Sequence, residues 1–231
     1  MQPAPDGSRL GDVLVYTRTT AYRHDSIPAG VAAMRELGEE HGFTIEPSED
    51  PSVFTPASLN GRSAVVFLST SGEVLTDAGR NALRHWVDAG GGFMGVHSAA
   101  CTEYGWPYYG ELIGARFAGH PPVQTGVVVV EDAAHPSTAH LGSRWAWQDE
   151  WYDFRSNPRP GVRVLASADE NSYTGGAMGP DHPLAWCRDQ ERGRVFYTAL
   201  GHCASSYSDA AFRTHLLGGL SWVSTDGIRT E

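Results

Sequence analysis

The sequence A-G-G-G-F-M-G-V-H-S-A at residues 89–99 carries the clearest signals of the fold. Its three glycines interrupt the helical pattern that comes before them, so we predict that a helix ends there. The short apolar run Gly92–His97 is typical of a strand that is buried on both faces of a parallel sheet. Because Gly95 comes two residues before His97, the strand end resembles a nucleophile elbow, a sharp turn that would direct the His97 side chain into a pocket.

Strand and helix patterns alternate on the amino-terminal side of this stretch. Three apolar runs indicate strands, over Asp12–Tyr16, Phe43–Glu46 and Ser63–Ser69. Helical patterns cover Pro28–His41 and the segment that starts at Thr76-Asp77, a typical N-cap followed by a first-turn acid. This alternation predicts a doubly wound sheet of parallel strands.

The second half of the chain has shorter and more closely spaced strand patterns. These patterns cover Gly126–Glu131, Glu150–Phe154, Val162–Ser167, Leu184–Cys187 and Arg194–Ala199. Because Gly and Pro turns separate them, we expect an antiparallel portion beside the parallel core. A last helical pattern covers Asp209–Val223, and no repeat or linker divides the chain. We therefore predict a single α/β domain over residues 1–231, with its core at about residues 12–223.

Composition and charge exclude several functions. The 231 residues carry a net charge of −10, which disfavours nucleic acid and anionic membranes as partners. All 17 basic residues are arginine, so Schiff-base chemistry on a lysine is excluded. There is no membrane-length apolar run and no apolar signal segment within Met1–Asp12, so we expect a cytoplasmic protein. P-loop and GxGxxG motifs are absent, and no nucleotide cofactor is expected.

Histidines follow three different strands of the predicted sheet: His24 comes after the first strand, His97 after the fourth and His202 after the last. The carboxyl ends of parallel strands meet at one edge, so we expect these imidazoles to converge there. Alternation along the predicted strand 150–154 places Glu150 and Tyr152 on one face, as candidate general acid, general base or ligand. We predict that His97, His202, Glu150 and Tyr152 are catalytic. We also predict that His24, His97, His202 and Glu150 bind a divalent metal, zinc first, with an octahedral ion left open.

Six further residues are predicted to bind substrate. They follow strand ends or precede prolines that hold the backbone extended, and they are Tyr22, Arg23, Ser71, Gly72, His120 and His182. The aromatic stretches 104–109 and 145–152 offer rings that either stack on sugars or fill the core. Structural roles are assigned to His41, His85, His140 and His215.

Seven segments together resemble the ThuA-like, trehalose-utilisation family. They are Y-R-H-D-S-I-P (22–28), V-V-F-L-S-T-S-G-E-V-L-T (65–76), A-G-G-G-F-M-G-V-H-S-A (89–99), F-A-G-H-P (117–121), D-E-W-Y-D-F (149–154), D-H-P-L-A-W-C (181–187) and G-R-V-F-Y-T-A-L-G-H (193–202). The resemblance covers roughly Asp12 to Val223. It implies a flavodoxin-like, three-layer sandwich similar to the class I glutamine amidotransferases, with a mostly parallel sheet.

In those relatives a cysteine occupies the elbow and a histidine follows the last core strand, the positions that His97 and His202 hold here. Family members are linked to trehalose and keto-sugar metabolism, and some hold a zinc-like metal. The family also tends to self-associate. The resemblance therefore implies a small-molecule sugar as partner, a divalent metal and a homo-oligomer.

Three functions are compatible with these observations. The first is an enzyme that acts on a disaccharide or keto-sugar through the histidine-rich site. The second is a non-catalytic sugar-binding or regulatory protein on the same fold. The third is an amidotransferase-like hydrolase that uses Cys203 or Cys101, although an elbow without cysteine argues against a thioester. The cysteines are odd in number and contain no CxxC pair, so neither a disulfide framework nor a zinc knuckle is expected.

Overall fold

A nine-stranded sheet runs through the computed structural model, which describes residues 11–224. Its parallel strands are β1 (Asp12–Tyr16), β2 (Thr44–Ser48), β3 (Arg62–Leu68), β4 (Gly92–Val96) and β11 (Gly193–Thr198). Its antiparallel strands are β6 (Gln124–Val130), β7 (Arg144–Asp149), β9 (Arg163–Ala168) and β10 (Pro183–Gln190). A separate pair joins β5 (Phe117–Gly119) to β8 (Asp153–Phe154).

The sheet order is β2-β1-β3-β4-β11-β10-β9-β6-β7. The predicted parallel core with an antiparallel extension is confirmed. The predictions about the chain ends, at residues 1–10 and 225–231, lie outside the described residues.

Within residues 11–224 there are five α-helices. They are α1 (Ile27–His41), α2 (Pro56–Leu59), α3 (Asp77–Asp88), α4 (Pro107–Ile113) and α5 (Ala210–Ser224). Phe196 packs on Gly219 of α5, whereas Tyr197 packs beside Gly95, against which Ile113 of α4 lies. Because consecutive strand residues point to opposite faces, α5 and α4 cover opposite sides of the sheet and give three layers.

The predicted helix boundaries have clear local causes. Thr76 caps α3 by accepting a hydrogen bond from the Gly79 N–H at 3.0 Å, and Asp77 lies in the first turn, as predicted. Helix α1 ends at Gly42, whose left-handed φ of 77° suits a glycine. Among residues 11–224, no helix has the length and apolar character needed to cross a membrane.

The predicted strand over Glu150–Phe154 is formed only in part: Asp153–Phe154 are strand β8, and residues 150–152 belong to no strand. Strand β7 ends at Asp149, which pairs with Gln124 at the start of β6. Val123 precedes Gln124, and Pro121 and Pro122 come directly before Val123; proline cannot donate a hydrogen bond to a strand ladder. The chain therefore leaves the sheet after Asp149, and strand alternation does not govern where Glu150 and Tyr152 point.

A buried histidine should make the stability of this fold depend on pH. His215 in α5 donates from Nδ1 to the Ser137 carbonyl at 2.8 Å, and its Nε2 lies 3.1 Å from Thr198 Oγ1. Burial lowers the pKa of His215 to about 4, against the opposing effect of the Ser137 hydrogen bond. In the unfolded chain the pKa is the ordinary value of about 6.5. The unfolded state therefore takes up a proton at a pH where the folded state does not.

We expect the contribution of His215 to stability to be complete above pH ~6.5 and to be lost as the pH falls towards about 4, by roughly 3 kcal/mol. Urea unfolding at several pH values across this range measures the loss. In the variant His215→Asn, the free energy of unfolding should change less between neutral and acidic pH. An identical pH dependence in wild type and variant would contradict this assignment.

Candidate active site

Three histidines lie at the carboxyl edge of the parallel strands. His24 lies in the loop after β1, His97 directly after β4 and His202 after β11. His97 has a left-handed φ of 52°, and its side chain is fully buried. Two residues earlier, a Cβ on Gly95 would lie 2.4 Å from Ile113 Cδ1, so only glycine lets the strand approach α4. The chain thus turns sharply at His97, as an elbow requires.

Three imidazole nitrogens and one carboxylate oxygen meet at this edge. The Nε2 atoms of His24 and His97 are 3.1 Å apart. Glu150 Oε2 lies 3.5 Å from His97 Nε2 and 3.9 Å from His24 Nε2. It is also 3.0 Å from Nδ1 of His202. We call these four residues, whose ligand atoms all lie within 4.8 Å of one another, the His–Glu cluster.

The spacing and protonation of the His–Glu cluster suit a metal ion. Zinc bonds of about 2.0–2.1 Å in a tetrahedron hold the ligand atoms roughly 3.4 Å apart. His97 Nδ1 donates to the Ala199 carbonyl at 2.7 Å, so Nε2 is the nitrogen of this ring that can bind a metal. His24 Nδ1 lies 3.2 Å from Ser98 Oγ, which can fix its Nε2 in the same way. The buried Nδ1 of His202 has no well-directed hydrogen bond although Glu150 is 3.0 Å away, which suits a metal-binding atom.

The charges of the cluster follow from its surroundings. Burial raises the pKa of Glu150, but the imidazoles of His202, His24 and His97 outweigh burial and hold that pKa well below its usual range. Burial lowers the pKa of His24, whereas the Glu150 carboxylate raises the pKa of His202. The site therefore presents an ionised carboxylate beside a neutral His24, a donor set that divalent metals accept.

A cavity of about 480 Å³ opens above the cluster. Its wall is largely aromatic and includes Tyr22, Tyr104, Phe117 and Tyr152. Tyr22 and Tyr104 are 66% and 37% exposed, unlike the buried rings of the core. A concave pocket with aromatic walls and a polar floor is the usual form of a small-molecule site.

Most of the predicted site residues are brought together. His24, Glu150, Tyr152, Tyr22, Ser71 and His120 line the cavity. His97 and His202 contribute to the His–Glu cluster in its floor. The Tyr152 hydroxyl lies 3.0 Å from His97 Nε2, and His120 Nε2 lies 3.5 Å from Glu150 Oε1.

Three predicted substrate-binding residues lie elsewhere. Arg23 pairs with Glu49 at 2.6 Å and faces a different groove, between α1 and the end of β2. His182 is fully buried behind the cavity wall. Its Nε2 donates to the Tyr152 carbonyl at 2.8 Å and its Nδ1 faces Glu170, so it supports Tyr152 without lining the cavity. Gly72 shapes a turn through its φ of 78° and is not in the cavity wall.

Sequence reasoning missed four residues of the cavity and its support: Ser98, Tyr104, Phe117 and Asp149. Ser98 directly follows the elbow histidine, which was the available signal. Tyr104 belongs to an aromatic-rich stretch but could not be separated from core tyrosines such as Tyr109. Asp149 gave no signal, because strand alternation places it on the face opposite Glu150.

The two cysteines near the site should be dispensable. Cys101 lines the cavity, but burial raises its pKa to about 12. Burial also raises the pKa of Cys203, so neither thiol forms the thiolate that a nucleophile needs. We expect Cys101→Ala and Cys203→Ala to keep turnover within about threefold of wild type. A loss of more than a hundredfold in either variant would favour the thiol-dependent hydrolase instead.

Fold and site together define the class of this protein. It is a three-layer α/β domain in which the elbow residue after β4, His97, is one of the three histidines that form a cluster with a glutamate. The chain belongs to the ThuA family, described as trehalose utilisation, whose model matches residues 12–223. Membership supports a role in sugar metabolism.

Solved structures show the same fold. A ThuA-like protein from Bacteroides uniformis superimposes with a TM-score of 0.81 at 24% identity, over 98% of this chain and 97% of the other. A ThuA-like protein from Parabacteroides merdae gives a TM-score of 0.76 at 20% identity, over 96% and 92% of the two chains. A β-galactosidase from Bacillus circulans matches 91% of this chain with 30% of its own, with a TM-score of 0.59 and 13% identity. No curated protein matches the chain significantly.

Proposed function

We propose that this protein is a cytoplasmic enzyme that processes a disaccharide or a keto-sugar with a metal-assisted acid–base site. The observation that carries the proposal is the convergence of the His–Glu cluster in the floor of an aromatic cavity. A purely structural histidine network would not need three rings from three strands to meet at an open pocket.

The donor atoms for the metal would be Nε2 of His24, Nε2 of His97, Nδ1 of His202 and Oε2 of Glu150. A divalent ion such as zinc, when bound, polarises a carbonyl or acidifies a hydroxyl or water. The residues fit this group because His97 Nε2 and His202 Nδ1 are buried beside the Glu150 carboxylate. The Tyr152 hydroxyl, which lies 3.0 Å from His97 Nε2, would turn away from that nitrogen when the ion binds. An octahedral divalent ion would use the same atoms.

Other cavity residues would bind and orient the sugar. Burial holds the pKa of Tyr152 well above its usual value, so its hydroxyl stays protonated and can donate to a substrate oxygen. His120, at the rim, lies near the second oxygen of Glu150 and can pass a proton to or from a hydroxyl. The exposed rings of Tyr22 and Tyr104 offer flat apolar faces to the C–H faces of a sugar.

The test is a turnover screen of disaccharides and their keto forms, with protein freed of metal and then reloaded with zinc or another divalent ion. We expect turnover of at least one of these sugars that depends on the added ion. Sugar binding without turnover, surviving in His97→Ala, would instead identify a non-catalytic sugar-binding protein.

A further inference from the structure

The buried carboxylate of Asp149 joins two parts of the His–Glu cluster. Its Oδ1 accepts hydrogen bonds from the N–H of Glu150 at 2.9 Å and of His202 at 3.1 Å. Its Oδ2 accepts from the Gly201 N–H at 2.8 Å and from the Trp147 indole at 2.9 Å. The side chain is fully buried, and all four donors are neutral N–H groups.

These hydrogen bonds connect strands that are distant in the sheet. Strand β7 is at one edge, and three strands separate it from β11. At a spacing of about 4.8 Å per strand, β7 and β11 would lie roughly 19 Å apart in a flat sheet. The antiparallel extension must therefore curl back over the core. Asp149, the last residue of β7, makes the hydrogen bonds that join this extension to the loop after β11.

We infer that Asp149 is a positioning residue that sets the separation of Glu150 and His202 and so completes the metal site. It holds the backbone N–H of both residues on one carboxylate oxygen, while the side chains of the same two residues meet at 3.0 Å. Supporting residues of this kind orient metal ligands, and their loss usually costs ten- to a hundredfold in affinity. The inference rests on the proposed function, because it concerns the same cluster.

Only a carboxylate can accept all four hydrogen bonds. In Asp149→Asn, either orientation of the amide turns its NH₂ group towards two N–H donors and loses both bonds. Asp153→Asn is the matched control, since Asp153 is also a buried aspartate and accepts a backbone hydrogen bond, from Ala177 at 2.9 Å, away from the cluster.

Two measurements on the folded full-length variants decide the question. The first is amide hydrogen exchange at Gly201 and His202, followed by NMR in metal-free protein. We expect exchange to accelerate at least tenfold in Asp149→Asn and to stay unchanged in Asp153→Asn. Unchanged protection in Asp149→Asn would overturn the inference whether or not the protein binds a metal.

The second measurement is zinc affinity, by competition with a chromophoric chelator. We expect Asp149→Asn to bind zinc ten- to a hundredfold more weakly than wild type does. Wild-type affinity in a folded Asp149→Asn would also overturn the inference while leaving the metal proposal intact. Absence of zinc binding in the wild type would instead refute the metal proposal, and the exchange experiment would then decide the role of Asp149.

Discussion

Replacing His97 by alanine is expected to lower zinc affinity at least a hundredfold and turnover about a thousandfold. His97 Nε2 lies 3.1 Å from the His24 nitrogen and 3.5 Å from the Glu150 oxygen, so its loss removes a central member of the His–Glu cluster. A thousandfold loss of turnover corresponds to about 4 kcal/mol of transition-state stabilisation. Zinc titration and steady-state kinetics on the sugar found in the screen measure the two effects.

His120→Ala is the matched control for this variant. His120 also approaches Glu150, at 3.5 Å from Oε1, but it lies at the cavity rim and outside the cluster. It should keep wild-type zinc affinity and mainly raise KM. Equal losses of zinc affinity in both variants would contradict the assignment of His97 as a zinc ligand.

Replacing Glu150 by glutamine should have an effect of similar size. The variant keeps the shape of the side chain but removes the negative charge that faces the three imidazoles. A bound zinc ion would lose the one charged ligand of the cluster, and we expect affinity to fall about a hundredfold and turnover about a thousandfold. The pKa of His202 should also fall, because the Glu150 carboxylate is the main cause of its elevation.

Glu170→Gln is the control for charge removal. Glu170 also lies beside a histidine, 2.8 Å from His182 Nδ1, but behind the cavity wall. It should lower stability without changing the zinc affinity of the His–Glu cluster, because Glu170 lies in a separate group with Asp153 and His182. If Glu150→Gln bound zinc as tightly as Glu170→Gln, the carboxylate of Glu150 would not be a ligand.

The parallel half of the sheet could be predicted from sequence because its signals are local. Strands β3 and β4 are apolar runs buried on both faces, and the cap at Thr76 fixes the start of α3. The strand order of the antiparallel half could not be predicted. Strand β9 pairs with both β10 and β6, and that choice depends on contacts between residues far apart in the chain.

The site shows the same division between local and distant causes. Three histidines at strand ends could be expected to meet, since the topology of a parallel sheet brings those ends to one edge. Glu150 joins the three histidines for a reason other than strand alternation. The ladder between β6 and β7 ends near the prolines before β6, and Asp149 then accepts a hydrogen bond from the loop after β11. The sequence alone reveals neither the end of the β6–β7 ladder nor the contact of Asp149, because both depend on how the antiparallel strands curl over the core.

X-ray absorption at the zinc edge, on metal-free protein loaded with one equivalent of zinc, shows whether the three histidines bind one ion. We expect one ion per chain, bound at about 2.0–2.2 Å by a first shell of nitrogen and oxygen with the outer scattering of three imidazole rings. A spectrum of hydrated zinc, or a shell without imidazoles, would contradict the assignment of His24, His97 and His202 to one metal site.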